Sequence, residues 1–136
     1  MDTFVWPVRI YYEDTDSGGV VYYANYLKFM ERARTEWLRA QGVEQDTLCR
    51  EHGILFAVRT LQIDYQRPAR FNDLLEVHSH VADTRGASLV FAQTIQRRDD
   101  AEPLCHAQVK VACIDAQTFR ARRLPRPLLR EIVGEG

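Results

Sequence analysis

The residues best placed to do chemistry are gathered in one loop, Asp14-Thr15-Asp16-Ser17-Gly18-Gly19, just ahead of a long helical pattern. A helix N-terminus offers N–H groups with no intrahelical acceptor and a partial positive charge, which suits a developing oxyanion. Glycines beside it let backbone approach a ligand closely. A carboxylate held just before such donors brings two catalytic parts into one short segment, and either aspartate could attack a carbonyl or align a water. The same residue types also have a purely structural reading, with Asp and Ser as caps and Gly-Gly as a turn. The loop lacks the Gly-Lys-Ser/Thr ending of a phosphate cradle and the later acidic ligands of an EF-hand.

Other constellations carry less. His78 and His80 form His-x-His on one strand face, with no third metal ligand evident and a solvated face as the plain alternative. No metal and no cofactor is expected. Cys49, Cys105 and Cys113 are odd in number and lack CxxC spacing, which points to ordinary thiols rather than a disulfide framework or zinc ribbon. His106 follows Cys105 but on a strand would point the other way, so no nucleophile–base pair is expected there. Arg120, Arg122, Arg123, Arg126 and Arg130 could grip phosphates through guanidinium forks or simply be solvated. The aromatics Tyr22, Tyr23, Tyr26 and Phe29 read as packing residues, some of them lining a pocket at the helix start.

These groups need elements to position them. Phe4 to Tyr12 reads as a strand, with Pro7 marking an edge or bulge. Tyr26, Met30, Ala33, Trp37 and Ala40 recur at steps of three and four, which predicts a helix from Tyr23 or Ala24 to Gln41, ended by Gly42. Residues 43–52 read as a turn and a short helical piece. The period then changes to two: Leu61, Ile63 and Tyr65; Leu75, Val77 and Val81; Leu89, Phe91 and Ile95; then Cys105 to Cys113. Turn signals at 67–73, 83–86 and 98–101 suggest four strands in a meander, and Leu128–Val133 a last short helix. The class is α+β, one five-stranded antiparallel sheet with one dominant helix. Its edges and second face would need cover, and a symmetric partner supplies it, so a homodimer or homotetramer is expected.

A chain of 136 residues suits one domain spanning 1–136 and can bury about two-thirds of its unfolded surface. With 18 Lys+Arg against 19 Asp+Glu, the formal charge of −1 argues against a nucleic-acid partner. No run approaches the length of a membrane span, and Met1-Asp2-Thr3-Phe4 lacks the layout of a signal peptide, so a soluble, cytoplasmic protein is expected.

The run Arg9-Ile10-Tyr11-Tyr12-Glu13-Asp14-Thr15-Asp16-Ser17-Gly18-Gly19-Val20-Val21-Tyr22-Tyr23-Ala24-Asn25-Tyr26 resembles the active-site signature of the 4-hydroxybenzoyl-CoA thioesterase family of hotdog-fold proteins. Leu27 to Glu36 and Asp64-Tyr65-Gln66-Arg67-Pro68-Ala69-Arg70 resemble its YbgC-type branch, the Tol–Pal-associated acyl-CoA thioesterases. The likeness reaches to about residue 115. It implies a curved sheet wrapped around one helix and hydrolysis of short- to medium-chain acyl-CoA, or acyl-carrier-protein, thioesters. It further implies Asp16 as the catalytic carboxylate and the Tyr23 backbone N–H as the donor to the thioester carbonyl. Tyr23 stands where some relatives have His, so only the backbone role carries over. Asp14 reads as supporting, Tyr26 as part of the substrate pocket, and Arg120, Arg122 and Arg123 as candidate contacts to CoA phosphates. An aspartate is ionised at neutral pH but is a weak base, which favours attack through a mixed anhydride, with water activation the alternative. A hotdog dehydratase would need a histidine in the loop or helix, and there is none. From another class, a non-catalytic acyl-CoA or carrier-protein binding module near the envelope machinery would bind without turnover.

Overall fold

In the computed structural model, which describes residues 3–124 and 129–130, the period-two segments form one antiparallel sheet and the period-3.6 segment lies against it. The elements are β1 (Phe4–Arg9), a 3-10 turn (Tyr12–Asp14), α1 (Asn25–Ala40) and α2 (Gln45–Thr47). A π-type turn (Leu48–His52) follows, then β2 (Ile54–Tyr65), β3 (Leu74–Arg85), β4 (Ser88–Arg97) and β5 (Asp100–Asp115). Of the helix expected at Leu128–Val133, only Leu129 and Arg130 lie among the described residues, and both are helical.

Strand order is β1-β3-β4-β5-β2, which corrects the four-strand meander. Only β3, β4 and β5 run as consecutive hairpins; β2 pairs with β5 at the far edge, Tyr65 opposite Cys105 and Ile54 opposite Asp115. Residues 66–73, which resemble a hairpin turn in composition, instead cross from one side of the sheet to the other. Their backbone is satisfied on the way, since Gln66 and Arg67 N–H donate to Leu104 O and Asn72 N–H to Ile10 O. β1 also ends earlier than expected. Past Arg9 the chain leaves the ladder, although Ile10 stays fully buried.

The inner face of the meander carries Leu75, Val77, Val81, Leu89, Phe91, Ile95, Cys105, Val109 and Cys113, all buried, against the α1 face of Tyr26, Phe29, Met30, Ala33, Trp37 and Leu38. Trp37 meets Phe91 edge-on at 5.3 Å between ring centroids. Each such large side chain contributes about 2 kcal/mol on burial. Ala40, expected on this stripe, is exposed because the helix has turned out toward Gly42. Gly42 closes the helix at φ 83°, a left-handed conformation costly for a residue with a Cβ.

Two polar residues are buried in this layer, Ser79 and Gln93. Gln93 Nε2 donates to the Met30 carbonyl at 3.0 Å and to Ser79 Oγ at 2.9 Å, while its Oε1 accepts from Arg34 at 3.0 Å. A single glutamine thus ties the middle of α1 to β3 and β4. Register shifts at Val58/Thr60, Val81/Asp83 and Ile95–Arg97 mark bulges, which bend strands and increase twist.

The β2 edge is different. From Val58 to Gln62 every residue is exposed, and the expected alternation of Leu61, Ile63 and Tyr65 faces little cover in a single chain, with Val58 at 51%, Leu61 at 39% and Tyr65 at 44% exposure.

Candidate active site

The acidic loop is a tight antiparallel turn. Thr15 bridges Val21, Asp16 N–H donates to Val20 O, and Tyr22 N–H donates to Asp14 O, so residues 14–16 run back along 20–22. One Asp16 oxygen accepts the Gly18 N–H at 2.8 Å, which orients an otherwise exposed carboxylate. A Cβ at Gly18 would sit 3.2 Å from that oxygen, so a larger residue there would push the carboxylate by a few tenths of an ångström. Asp14 is consumed structurally, its carboxylate accepting Tyr11 N–H and its carbonyl accepting both Tyr22 N–H and Asn25 Nδ2. The supporting role read for Asp14 agrees with these bonds. Asp and Ser do not cap α1, whose start at Ala24 has no side-chain cap and no acidic residue in its first turn.

That uncapped start is the informative part. Asn25 N–H returns to Tyr22 O and Leu27 N–H to Ala24 O, but among the described residues the N–H groups of Tyr23 and Ala24 have no acceptor. Beside them opens a cleft of about 240 Å³ lined by Val21, Tyr23, Tyr26, Tyr65, Gln66, Arg67 and Pro68. Tyr23 is exposed at its mouth. Tyr26 lines the cleft but is otherwise a core residue: it is buried, and its hydroxyl accepts the Ala69 N–H at 2.9 Å. Burial pushes the Tyr26 phenol above its ordinary pKa, against the lowering effect of that bond.

The arginines lie elsewhere in the chain. Arg122 donates to His52 O at 2.7 Å and Gly53 O at 3.2 Å, and stands 3.7 Å from the Asp115 carboxylate. Arg123 lies beside the β3–β4 turn at Gly86, and Arg120 is exposed on the turn that follows β5. All three belong to the Ile54 end of β2, whereas the Tyr23 cleft is at the Tyr65 end, about 35 Å away along a 12-residue strand. Asp16 pairs with Val20, three residues before Tyr23, and does not itself line the cleft, while Arg120, Arg122 and Arg123 are far from it within one chain. Arg126 lies outside the described residues, and Arg130 is exposed.

His78 lies 3.1 Å from Glu76 on the outer face, and among the described residues no group of three His, Cys, Asp or Glu could hold a metal ion. Cys105 and Cys113 share the inner face and are buried, while His106 points outward to Asp64 at 3.6 Å. Burial pushes the Cys105 thiol up to about 12, which removes it as a nucleophile.

Reading the sequence missed Tyr65 and Asn25 as site residues. The Tyr65 hydroxyl donates to the Tyr23 carbonyl at 3.1 Å, and Asn25 ties the helix start to Asp14. The signal for Tyr65 was its place in Asp64-Tyr65-Gln66-Arg67-Pro68-Ala69, at the end of a strand and just before a proline.

A family model described as Thioesterase superfamily matches residues 18–104. The chain belongs to that superfamily. It is 45% identical over 128 residues to the acyl-CoA thioester hydrolase YbgC of Escherichia coli O6:H1, covering 94% of each chain, which puts it in the YbgC-type branch. A probable thioesterase from Bartonella henselae superposes with a TM-score of 0.86 at 35% identity, over 91% of this chain and all of that one. A 4-hydroxybenzoyl-CoA thioesterase variant complexed with 4-hydroxybenzoyl-CoA gives 0.89 at 19% identity, over 96% of this chain and 98% of that one, a likeness of fold. The superfamily's hotdog arrangement, one five-stranded antiparallel sheet against one long helix, is the one described above. The matched span begins two residues after Asp16 and ends before Arg120. Among the described residues no helix is long and apolar enough to cross a membrane.

Proposed function

We propose that this enzyme, an acyl-CoA thioesterase, hydrolyses short- to medium-chain acyl-CoA thioesters with Asp16 as the acting carboxylate and the Tyr23 N–H as the oxyanion donor. The observation that carries this reading is the unaccepted N–H of Tyr23, a residue that lines the cleft, on the chain segment that pairs through Val20 and Val21 with the turn holding Asp16. An Asp16 oxygen attacks the thioester carbon and the carbonyl oxygen becomes an oxyanion facing the Tyr23 N–H. Collapse breaks the C–S bond and releases CoA as its thiolate, which takes a proton from water. Water then cleaves the mixed anhydride to free acid and restores Asp16. In the variant route Asp16 takes a proton from the attacking water instead. One well-aimed donor lowers the barrier by about 3 kcal/mol. The cleft, about 240 Å³ with mainly apolar and aromatic walls beside Gln66 and Arg67, suits an acyl group of modest length.

The working form is a homodimer, or a pair of dimers, in the cytoplasm. The support is the long, exposed, partly apolar β2 edge, which a second copy of itself would cover. A twofold axis through the middle of β2 sets Tyr65 opposite the start of the partner's β2. The arginines that follow β5 in one subunit then approach the cleft of the other, where CoA phosphates would lie.

Thiol release from a panel of acyl-CoA substrates, acetyl to palmitoyl plus an aromatic one, tests the proposal on wild type and Asp16→Asn. The expected result is turnover concentrated at shorter chains and a fall of at least a hundredfold in Asp16→Asn with the fold intact. Wild-type rates in a folded Asp16→Asn protein would overturn it.

A further inference from the structure

Tyr23 is fixed by backbone on one side only: the Tyr22–Tyr23 peptide, which carries the Tyr23 N–H, is held by the Asn25 N–H donating to Tyr22 O at 2.9 Å. Upstream, Tyr22 N–H and Asn25 Nδ2 both bind the Asp14 carbonyl, at 3.0 and 2.8 Å. The helix ladder does not reach the following Tyr23–Ala24 peptide. Leu27 N–H, which would bond Tyr23 O in a regular helix, turns back to Ala24 O at 3.2 Å. The Tyr23 carbonyl therefore has no helical donor, and its partner is the Tyr65 hydroxyl at 3.1 Å.

Tyr65 is built to hold that position. As the last residue of β2 its backbone is paired with Cys105, and its ring lies edge-on to Tyr23 at 6.0 Å and 5.6 Å from Tyr26. Tyr26 is itself anchored by the Ala69 N–H, and Ala69 O accepts the Val21 N–H. The turn from Val21 to Asn25 is thus held between the sheet edge, the 66–73 crossing and the acidic loop. Burial also raises the Tyr65 phenol above its ordinary pKa, so the group remains a donor throughout the neutral range.

We propose that Tyr65 is a positioning residue for the reaction: its hydroxyl holds the Tyr23 carbonyl, which fixes the Tyr23–Ala24 peptide and so locks the C-terminal side of the residue whose N–H serves the cleft. The inference rests on the oxyanion role proposed above for that N–H. Tyr65 need not touch the thioester, and its effect is expected in the transition state, where donor alignment matters, more than in ground-state binding.

The experiment is steady-state hydrolysis of one good acyl-CoA substrate by wild type, Tyr65→Phe and Asp16→Asn, with thermal melts of each. Tyr65→Phe keeps the ring and removes only the hydroxyl. Expected is a fall in kcat of about ten- to a hundredfold, with KM within about threefold and a melting temperature close to wild type. An unchanged kcat, or a rise in KM with kcat preserved, overturns the inference. A second measurement places a fluorinated tyrosine of lowered phenol pKa at position 65. If the hydroxyl locks Tyr23 in place, kcat acquires a new limb and falls as that phenol ionises; an unaltered pH profile rejects the role even if Tyr65→Phe folds poorly. The Asp16→Asn arm separates the two readings, since its retention of activity would remove the proposed function with its acting carboxylate, whatever Tyr65→Phe does.

Discussion

The Tyr26 hydroxyl, buried at the start of α1, accepts the Ala69 N–H at 2.9 Å across 43 residues of sequence, and the Ala69 carbonyl in turn accepts the Val21 N–H. One phenol oxygen therefore joins the helix, the 66–73 crossing and the acidic loop. It is the interior counterpart of the Tyr65 contact at the surface.

Tyr26→Phe removes the only acceptor that the buried Ala69 N–H has among the described residues. A loss of about 1–3 kcal/mol is expected, read as a lower denaturation midpoint at unchanged m-value. The same variant should lower kcat by loosening the Val21–Asn25 turn. A midpoint equal to wild type would show that water replaces the phenol.

Gln93→Leu leaves the Met30 carbonyl, Ser79 Oγ and the Arg34 guanidinium each short of a partner. A cost of about 2–4 kcal/mol is expected from urea unfolding, larger than for Ser79→Ala, which removes one bond of the three.

The buried thiols should be silent. With Cys105 pushed up to about 12, roughly one molecule in ten thousand carries a thiolate there at pH 8. Alkylation of the native protein should modify half-buried Cys49 first, and Cys105 and Cys113 only on unfolding. Mass-mapped adducts at Cys105 in folded protein would contradict this.

Acid should undo the turn after β5 before it undoes the sheet. The Thr118 and Gln117 N–H groups hold the Asp115 carboxyl below its ordinary 3.8. A depressed carboxylate contributes stability that is present above the unfolded value and lost as pH falls through the folded one. Melting temperature should therefore drop below about pH 4 in wild type and drop less in Asp115→Asn, which starts lower. Parallel acid limbs for the two proteins would refute the assignment.

Charging the exposed sheet edge should separate subunits. Val58→Lys with Leu61→Lys is expected to shift sedimentation from a dimer or larger to a monomer and to reduce kcat/KM, since the arginines proposed to meet CoA come from the other copy. A wild type that sediments as a monomer would remove the premise.

Much of this fold was legible because β3, β4 and β5 alternate cleanly and their turns are short. β2 was not, because residues 66–73 have the composition of a hairpin loop, and which strand a chain pairs with depends on long-range packing that local pattern does not encode. The candidate site divides along the same line. Asp16, Gly18 and Tyr23 lie within eight residues and are governed by local turn chemistry. The Tyr65 contact spans 42 residues, and where the arginines expected to meet CoA phosphates sit relative to the loop depends on the long-range course of β2 and β5, which local pattern does not encode.

The bare first turn of α1 sets a trap for anyone seeking to toughen this protein. Placing aspartate at Ala24 would follow sound stabilisation practice, and complementing the helix dipole should raise the melting temperature by a degree or more, worth about 0.5 kcal/mol. The new anion would also occupy the electropositive seat that a substrate needs, so the hardened variant should be the slower one.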